Sequence, residues 1–308
     1  MGSKNIKRQK YSREQQRRFT AMLLIIPSII FLVGLIAYPL VKVVIDSFRL
    51  VNLTNVAVSG FAGFENYVKV LTNEHFQKAL SNTVIWTLLS VIGEFIFGMI
   101  TAVALNNQVK GVGFFRSLII IPFVVPVVVA GLTWEWMLSP DFGIINYLFE
   151  KIGLISESVN WLGEKETALL TVTFVNIWRS FPFYTVTLLA ALQSIPHDII
   201  EAAAVDGANA PKRFMKIIFP QLKSVSMVLI GMHLIWTSIN FDYVWVMTEG
   251  GPFYATETLP VQIYRYAMKQ YDVGAASALS TMMIGLMTIG FVTYFYIKKV
   301  RSKSEGIK

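Results

Sequence analysis

Apolar residues in this sequence gather into six long stretches separated by shorter polar segments. The stretches run over Phe19–Val44, Thr83–Leu105, Ser117–Leu138, Ala168–Leu192, Val225–Met247 and Ala275–Ile297. A bilayer core takes about 20 mostly apolar residues per helix, and each stretch reaches that length. All are too long for buried strands, and most exceed an ordinary globular helix. The pattern predicts an all-α membrane protein with six transmembrane helices. Prolines interrupt several spans: Pro27 and Pro39, Pro122 and Pro126, and Pro182. Each removes a backbone donor and tends to kink its helix, which membrane helices tolerate when neighbours satisfy the freed carbonyls. The first stretch is longer than a signal-peptide core and no small-residue cleavage site closes it, so it reads as a span.

The polar segments set the orientation. Six spans place both termini on one side. With that side as cytoplasm, 18 of the 27 Lys and Arg residues fall in inner segments. They lie in the leader before Phe19, the Lys110/Arg116 loop, the Lys212/Arg213/Lys216/Lys223 loop and the tail from Lys298. The positive-inside rule selects this arrangement. The organisation expected is a basic cytoplasmic leader over 1–18, a six-span domain over 19–297 and a basic cytoplasmic tail over 298–308. Outer segments are longer, and the amphipathic stretch Tyr67–Leu80 is expected on the outer membrane surface.

Composition agrees. The 308 residues are 54% hydrophobic and 15% charged, well under the roughly 25% charge of soluble domains. The net charge of +8 is mostly an orientation signal with affinity for anionic lipid, and no nucleic-acid partner is expected. The absence of cysteine excludes disulfides and thiolate-bound metal. His75, His197 and His233 fall in separate elements, so no metal site is expected. No nucleophile–base arrangement is visible, and no catalytic residue is assigned.

The inner segment over 194–223 carries the most local information. Ser194 is placed to N-cap a short helix with Pro196 in its first turn. Ile199, Ile200, Ala203 and Ala204 form its apolar stripe, and Gly207 can end it in the left-handed conformation. Asn209 can cap a second short helix, with Pro211 in its first turn, an apolar face of Phe214, Ile217 and Ile218, and a stop at Pro220. The expectation is a helical hairpin at the membrane surface.

The spacing Glu201-Ala202-Ala203, Gly207, Ile217 and Phe219-Pro220 resembles the EAA loop of permease subunits in binding-protein-dependent ABC importers. Phe219 stands where the family pattern has Leu. Flanking segments resemble the carbohydrate-uptake branch, relatives of the maltose and glycerol-phosphate permeases: Leu188–Pro196, Thr248–Pro252 with Thr256-Glu257, and Gly63-Phe64-Glu65-Asn66-Tyr67. The resemblance covers about Phe19 to Ile297. It implies that Glu201, Ala202, Ala203, Asp206, Gly207, Ile217 and Pro220 couple the chain to a cytoplasmic ATPase. It also implies a second homologous permease, two ATPase subunits, an extracytoplasmic solute-binding protein, and a bacterial-type cytoplasmic membrane. The chain carries no G-x-x-x-x-G-K-[ST] phosphate loop, so ATP and Mg are expected on the ATPase partner and no cofactor on this chain.

Polar groups inside spans are expensive and face a bundle interior or a water-filled path. Asn176, Arg179, Ser180 and Phe183 share one helical face, and His233, Trp236, Thr237 and Asn240 share another. Hydrogen-bonding groups beside aromatic rings are what a sugar needs, and the maltose-type permeases hold sugar on these two helices. The same polar groups also serve as interhelical glue. Glu94 and Arg179 are placed to pair. A charged solute, such as a glycerol phosphate or uronate oligosaccharide, is the alternative that Arg179 supports. An ion-coupled secondary carrier is a further one, which leaves the 194–223 segment unexplained.

Overall fold

The computed structural model describes residues 3–54, 59–106 and 111–305, and the side chains of 3–16, 294–295 and 297–305 are outside the description. Most of the basic leader and tail, together with Lys110, therefore lies beyond it.

The described chain is helical. In order it forms α1 (Ser3–Leu32), α2 (Tyr38–Asp46), strands β1 (Arg49–Leu50) and β2 (Gly60–Phe61), α3 (Glu65–Leu71) and α4 (Phe76–Leu105). There follow α5 (Val112–Val124), α6 (Val127–Met137), α7 (Ile144–Lys151), α8 (Ala168–Gln193), α9 (His197–Val205) and α10 (Ala210–Arg213). The last elements are α11 (Phe219–Ser238), α12 (Asp242–Thr248), α13 (Leu259–Tyr264) and α14 (Val273–Glu305). Among the described residues four helices are long and apolar enough to cross a membrane, and up to six if each of two bent helix pairs counts as one span.

Two compact units are distinguished, one of 1–70 and 266–282, the other of 71–265 and 283–308. In the first unit, a π turn over Val33–Ala37 joins α1 to α2, so the first span is continuous over Arg17–Asp46. Its wide turn lets Pro39 enter the helix without clashing with the preceding turn. The most apolar window of this span has no buried residue. Beyond it, β1 and β2 pair antiparallel, Arg49 with Phe61 and Leu50 with Gly60. Asn66, buried, donates to the carbonyls of Ser47 at 2.9 Å and Arg49 at 2.8 Å. The Gly63–Tyr67 segment is thus a joint, with Phe48, Phe64 and Tyr67 clustered around it. The expected amphipathic stretch Tyr67–Leu80 is two pieces, because α3 ends at Leu71 and Phe76 already begins α4.

In the second unit α4 packs along α8, and α11 lies against both. Small residues permit this approach: a Cβ on Gly98 would stand 2.3 Å from Tyr184 Cβ. One apolar cluster gathers Trp86, Val172, Val175, Tyr243 and Val244. Another gathers Met99, Tyr184, Leu188, Leu222 and Leu229. On α4 and α8 polar residues, Glu94 and Asn176 among them, lie between the two in sequence.

The third span departs from the single helix expected. α5 and α6 meet at 96°, with Val125 extended (φ −64°, ψ 129°) before Pro126. A residue preceding proline is pushed out of the helical region. Pro122, by contrast, stays inside α5, and Pro182 inside α8. The fifth span also shifts. It is continuous over Ala210–Ser238 rather than Val225–Met247, and α12 follows after a break.

Candidate functional site

The 194–223 segment begins where α8 ends. Ser194 closes α8 rather than capping α9: its N–H donates to the Ala191 carbonyl at 3.2 Å and its hydroxyl to the same oxygen at 2.8 Å. Pro196 is the N-cap of α9, since Ile195, preceding a proline, resists the helical conformation. α9 leaves α8 at 73°. It buries Ala203 and exposes Glu201, Ala202 and Asp206, and His197 Nδ1 lies 3.5 Å from Glu201 Oε1 one turn along. Gly207 (φ +77°) ends the helix; its N–H reaches Ala204 O at 3.1 Å, and the Ala208 N–H reaches Ala203 O at 3.0 Å. Asn209 Oδ1 accepts the Lys212 N–H at 3.1 Å, as its capping role requires. The second helix does not stop at Pro220. A π turn over Phe214–Ile218, closed by the Phe219 N–H on Phe214 O, carries it into α11. Pro220 follows directly on that π turn in the first turn of α11, the kind of local widening by which a continuous membrane helix accommodates a proline. The hairpin expected is therefore one short helix, a glycine turn and an extension of span five. Ile217 is half-buried there and Pro220 exposed.

Mid-span, Glu94 is the organising group. Asn176 Nδ2 donates to Glu94 Oε1 at 3.0 Å, and His233 Nδ1 lies 2.7 Å from Glu94 Oε2. All three are buried, so one carboxylate ties α4, α8 and α11. Ser180 faces the same carboxylate. Glu94 does not pair with Arg179. The Arg179 guanidinium turns the other way, its Nε donating to Val125 O at 3.0 Å and its charge over the Phe123 ring at 5.6 Å. It thereby satisfies a carbonyl at the 96° bend.

Phe183, His233 and Trp236 form a ring cluster with centroids 5.5 to 6.3 Å apart. Trp236 is 53% exposed. Thr237 is buried, and its carbonyl accepts Trp86 Nε1–H at 2.9 Å. Asn240 is not on the α11 face. It lies in the break after Ser238, and its Oδ1 accepts the Tyr243 N–H at 3.4 Å, in keeping with the preference of Asn for helix starts. Thus Asn176, Ser180, Phe183, His233 and Trp236 come together, while Arg179 and Asn240 do other work. Two residues the sequence did not flag, Trp86 and Tyr184, complete the layer; the Tyr184 ring packs on His233 at 4.5 Å.

The segment after α12 is tightly built. Gly250 takes φ +88°, Thr256 Oγ1 donates to Gly251 O at 2.8 Å, and Asn82 Nδ2 donates to Glu257 O at 2.9 Å. The Glu257 carboxylate, 1% exposed, pairs with Arg265 Nε at 3.0 Å. Burial pushes its pKa above the ordinary carboxylate value, against the pull of Arg265. Among the described residues no group of three or more His, Asp or Glu could hold a metal ion.

Residues 94–302 match the family described as "Binding-protein-dependent transport system inner membrane component". A trehalose/maltose transport system permease protein of Thermococcus litoralis is 33% identical over 82% of this chain and 84% of its own. A sulfoquinovosyl glycerol transport system permease protein of Agrobacterium fabrum is 32% identical over 93% of this chain and 92% of its own. Among solved structures, a chain of a bacterial ABC transporter involved in import of the acidic polysaccharide alginate superposes with a TM-score of 0.82 at 20% identity. It covers 94% of this chain and 98% of that one.

Proposed function

Because the chain belongs to the inner membrane components of binding-protein-dependent transport systems, we propose that it is a permease subunit of an ATP-driven importer that translocates a sugar or oligosaccharide by alternating access. The observation that carries this reading is the exposed helix α9. It projects at 73° from α8, offers Glu201, Ala202 and Asp206 to a partner, and ends at left-handed Gly207. The chain itself is a transport component rather than an enzyme. The ATP and Mg belong to two cytoplasmic ATPase subunits, one of which receives α9. A second homologous permease completes the membrane part, with both termini cytoplasmic by the positive-inside rule. A solute-binding protein delivers solute to the outer face near Gly250-Gly251-Pro252. A crystal structure of the alginate transporter in complex with a pentasaccharide-bound periplasmic protein supports such a partner.

The sugar assignment rests on the ring cluster of Phe183, His233 and Trp236 beside Asn176 and Ser180, and on the names of the relatives. Flat apolar faces next to hydrogen-bonding groups suit a pyranose. A charged solute is the second reading. It is favoured by Arg179, which forms no ion pair with a carboxylate among the described residues.

The test is uptake by the assembled transporter in proteoliposomes loaded with ATP. Glu201→Ala and Gly207→Pro are expected to abolish ATPase co-purification and uptake while leaving the chain in the membrane. Normal uptake by both variants, or uptake driven by an ion gradient without ATP, refutes the proposal.

A further inference from the structure

A cavity of about 740 Å³ opens between the ends of α4, α5 and α8 and the helices of the 194–223 segment. That volume is in the range of small-ligand sites. Its lining divides into two kinds of surface. Arg116, Arg213 and Gln193 contribute cationic and hydrogen-bonding groups, and Ile195, Ile200 and Phe214 contribute apolar surface. No carboxylate lines it among the described residues. Arg116 donates one Nη2 bond to the Leu105 carbonyl at 3.2 Å, and Arg213 one Nη1 bond to the Ala208 carbonyl at 3.3 Å. Neither forms an ion pair among the described residues. The Arg116 Nε is buried with no hydrogen-bond partner.

Two arginines without a carboxylate partner among the described residues present a charge and fork geometry suited to phosphate oxygens. The apolar surface of Ile and Phe suits an acyl chain rather than water. The site also lies where the spans end, the level of lipid headgroups. We propose that this cavity binds the phosphate headgroup of an anionic phospholipid, held between Arg116 and Arg213 with its chain along Ile195, Ile200 and Phe214. The lipid then bridges the ends of α4 and α5 to the 194–223 segment.

The full chain, in nanodiscs of phosphatidylcholine with a minor share of phosphatidylglycerol, is released into detergent. The phosphatidylglycerol retained per chain is then read by mass spectrometry. Each basic residue near a surface contributes about fivefold in affinity for anionic lipid, so the R116Q/R213Q variant is expected to bind roughly thirtyfold less tightly. The R116K/R213K variant keeps both charges and is expected to retain most of the lipid, which separates loss of charge from loss of fold. Lys223→Gln, outside the lining, is expected to change nothing. Equal retention by the wild type and R116Q/R213Q overturns the proposal. So does displacement of the lipid by millimolar inorganic phosphate, which makes the site one for a soluble anion. It fails equally if the Gln variant loses a co-expressed ATPase while keeping its lipid, because the cavity is then a protein contact.

Discussion

The contact between α4 and α8 makes a sharp prediction at Gly98. A Cβ placed there meets Tyr184 Cβ at 2.3 Å, the Thr185 amide nitrogen at 3.2 Å and the Phe181 carbonyl oxygen at 3.3 Å. Ordinary carbon contacts are about 3.5–4.0 Å, so the two helices must part by about 1 Å. None of the three obstacles is the free end of a flexible side chain. Overpacking of this kind costs about 1–3 kcal/mol. The displacement also pulls apart the Thr101 and Thr185 hydroxyls, which are hydrogen-bonded across the same interface and contribute about 0.6 kcal/mol in a membrane setting. Gly98→Ala is therefore expected to cost about 2–3 kcal/mol. At about 3 °C per kcal/mol for a domain of this size, the detergent-solubilised chain should melt about 6–9 °C lower. Two comparisons calibrate the result. At Gly93 the nearest atoms are the Ile177 side chain, from 2.4 Å, which can change rotamer, so Gly93→Ala should lie between Gly98→Ala and the wild type. Gly290 has nothing within 4 Å, and Gly290→Ala should not lower the melting temperature. The reasoning is refuted if the three variants melt together.

Other consequences are equally open to measurement. Glu94→Ala leaves Asn176 and His233 without their shared acceptor in a buried layer, at a cost of about 1–3 kcal/mol; Glu94→Gln keeps one amide oxygen and should lose less, both read by thermal melting. Arg179→Ala removes the donor to Val125 O and should increase protease or hydrogen-exchange access at the α5–α6 bend, whereas a pure solute contact would change uptake alone. Burial raises the Glu257 pKa, so the folded chain holds a proton where the unfolded chain has lost it. Stability should then fall as pH rises from the ordinary carboxylate range through the raised one, and Glu257→Gln should flatten that slope.

The sequence carried the spans and the chemistry of the 194–223 segment further than it carried their joints. Six apolar stretches, Gly207 as a left-handed stop and the Asn209 cap are local properties, fixed by hydropathy, by φ and by one side chain. Proline behaviour is not local in that sense. Pro122 and Pro182 stay inside helices, Pro126 breaks one at 96°, and Pro220 rides on a π turn. Which outcome occurs depends on what can satisfy the freed carbonyl, and at Val125 that group is Arg179 from a distant helix. Helical spacing likewise located Asn176 and His233 on their faces. It set Glu94 against Arg179, where the structure gives it Asn176 and His233, because the choice depends on how three helices are rotated against one another. The spacing of Asn240 from His233, Trp236 and Thr237 puts it on their face only if the helix continues; the helix ends at Ser238, whose hydroxyl turns back onto Leu234 O at 2.6 Å.

The unbroken run from Ala210 to Ser238 has a mechanical meaning. At 1.5 Å per residue its 29 residues form a rod about 43 Å long. A flexible loop would absorb a push applied next to Gly207 as local bending. A rod converts it into rotation, and a tilt of about 5° about one end moves the other by about 4 Å. The polar layer at His233 sits close to the far end, where the swing per degree is small when the pivot is Ser238 and large when it is Ala210. The position of the fulcrum along the rod, more than the size of the push, sets how far the His233 and Trp236 rings travel past Phe183 of α8.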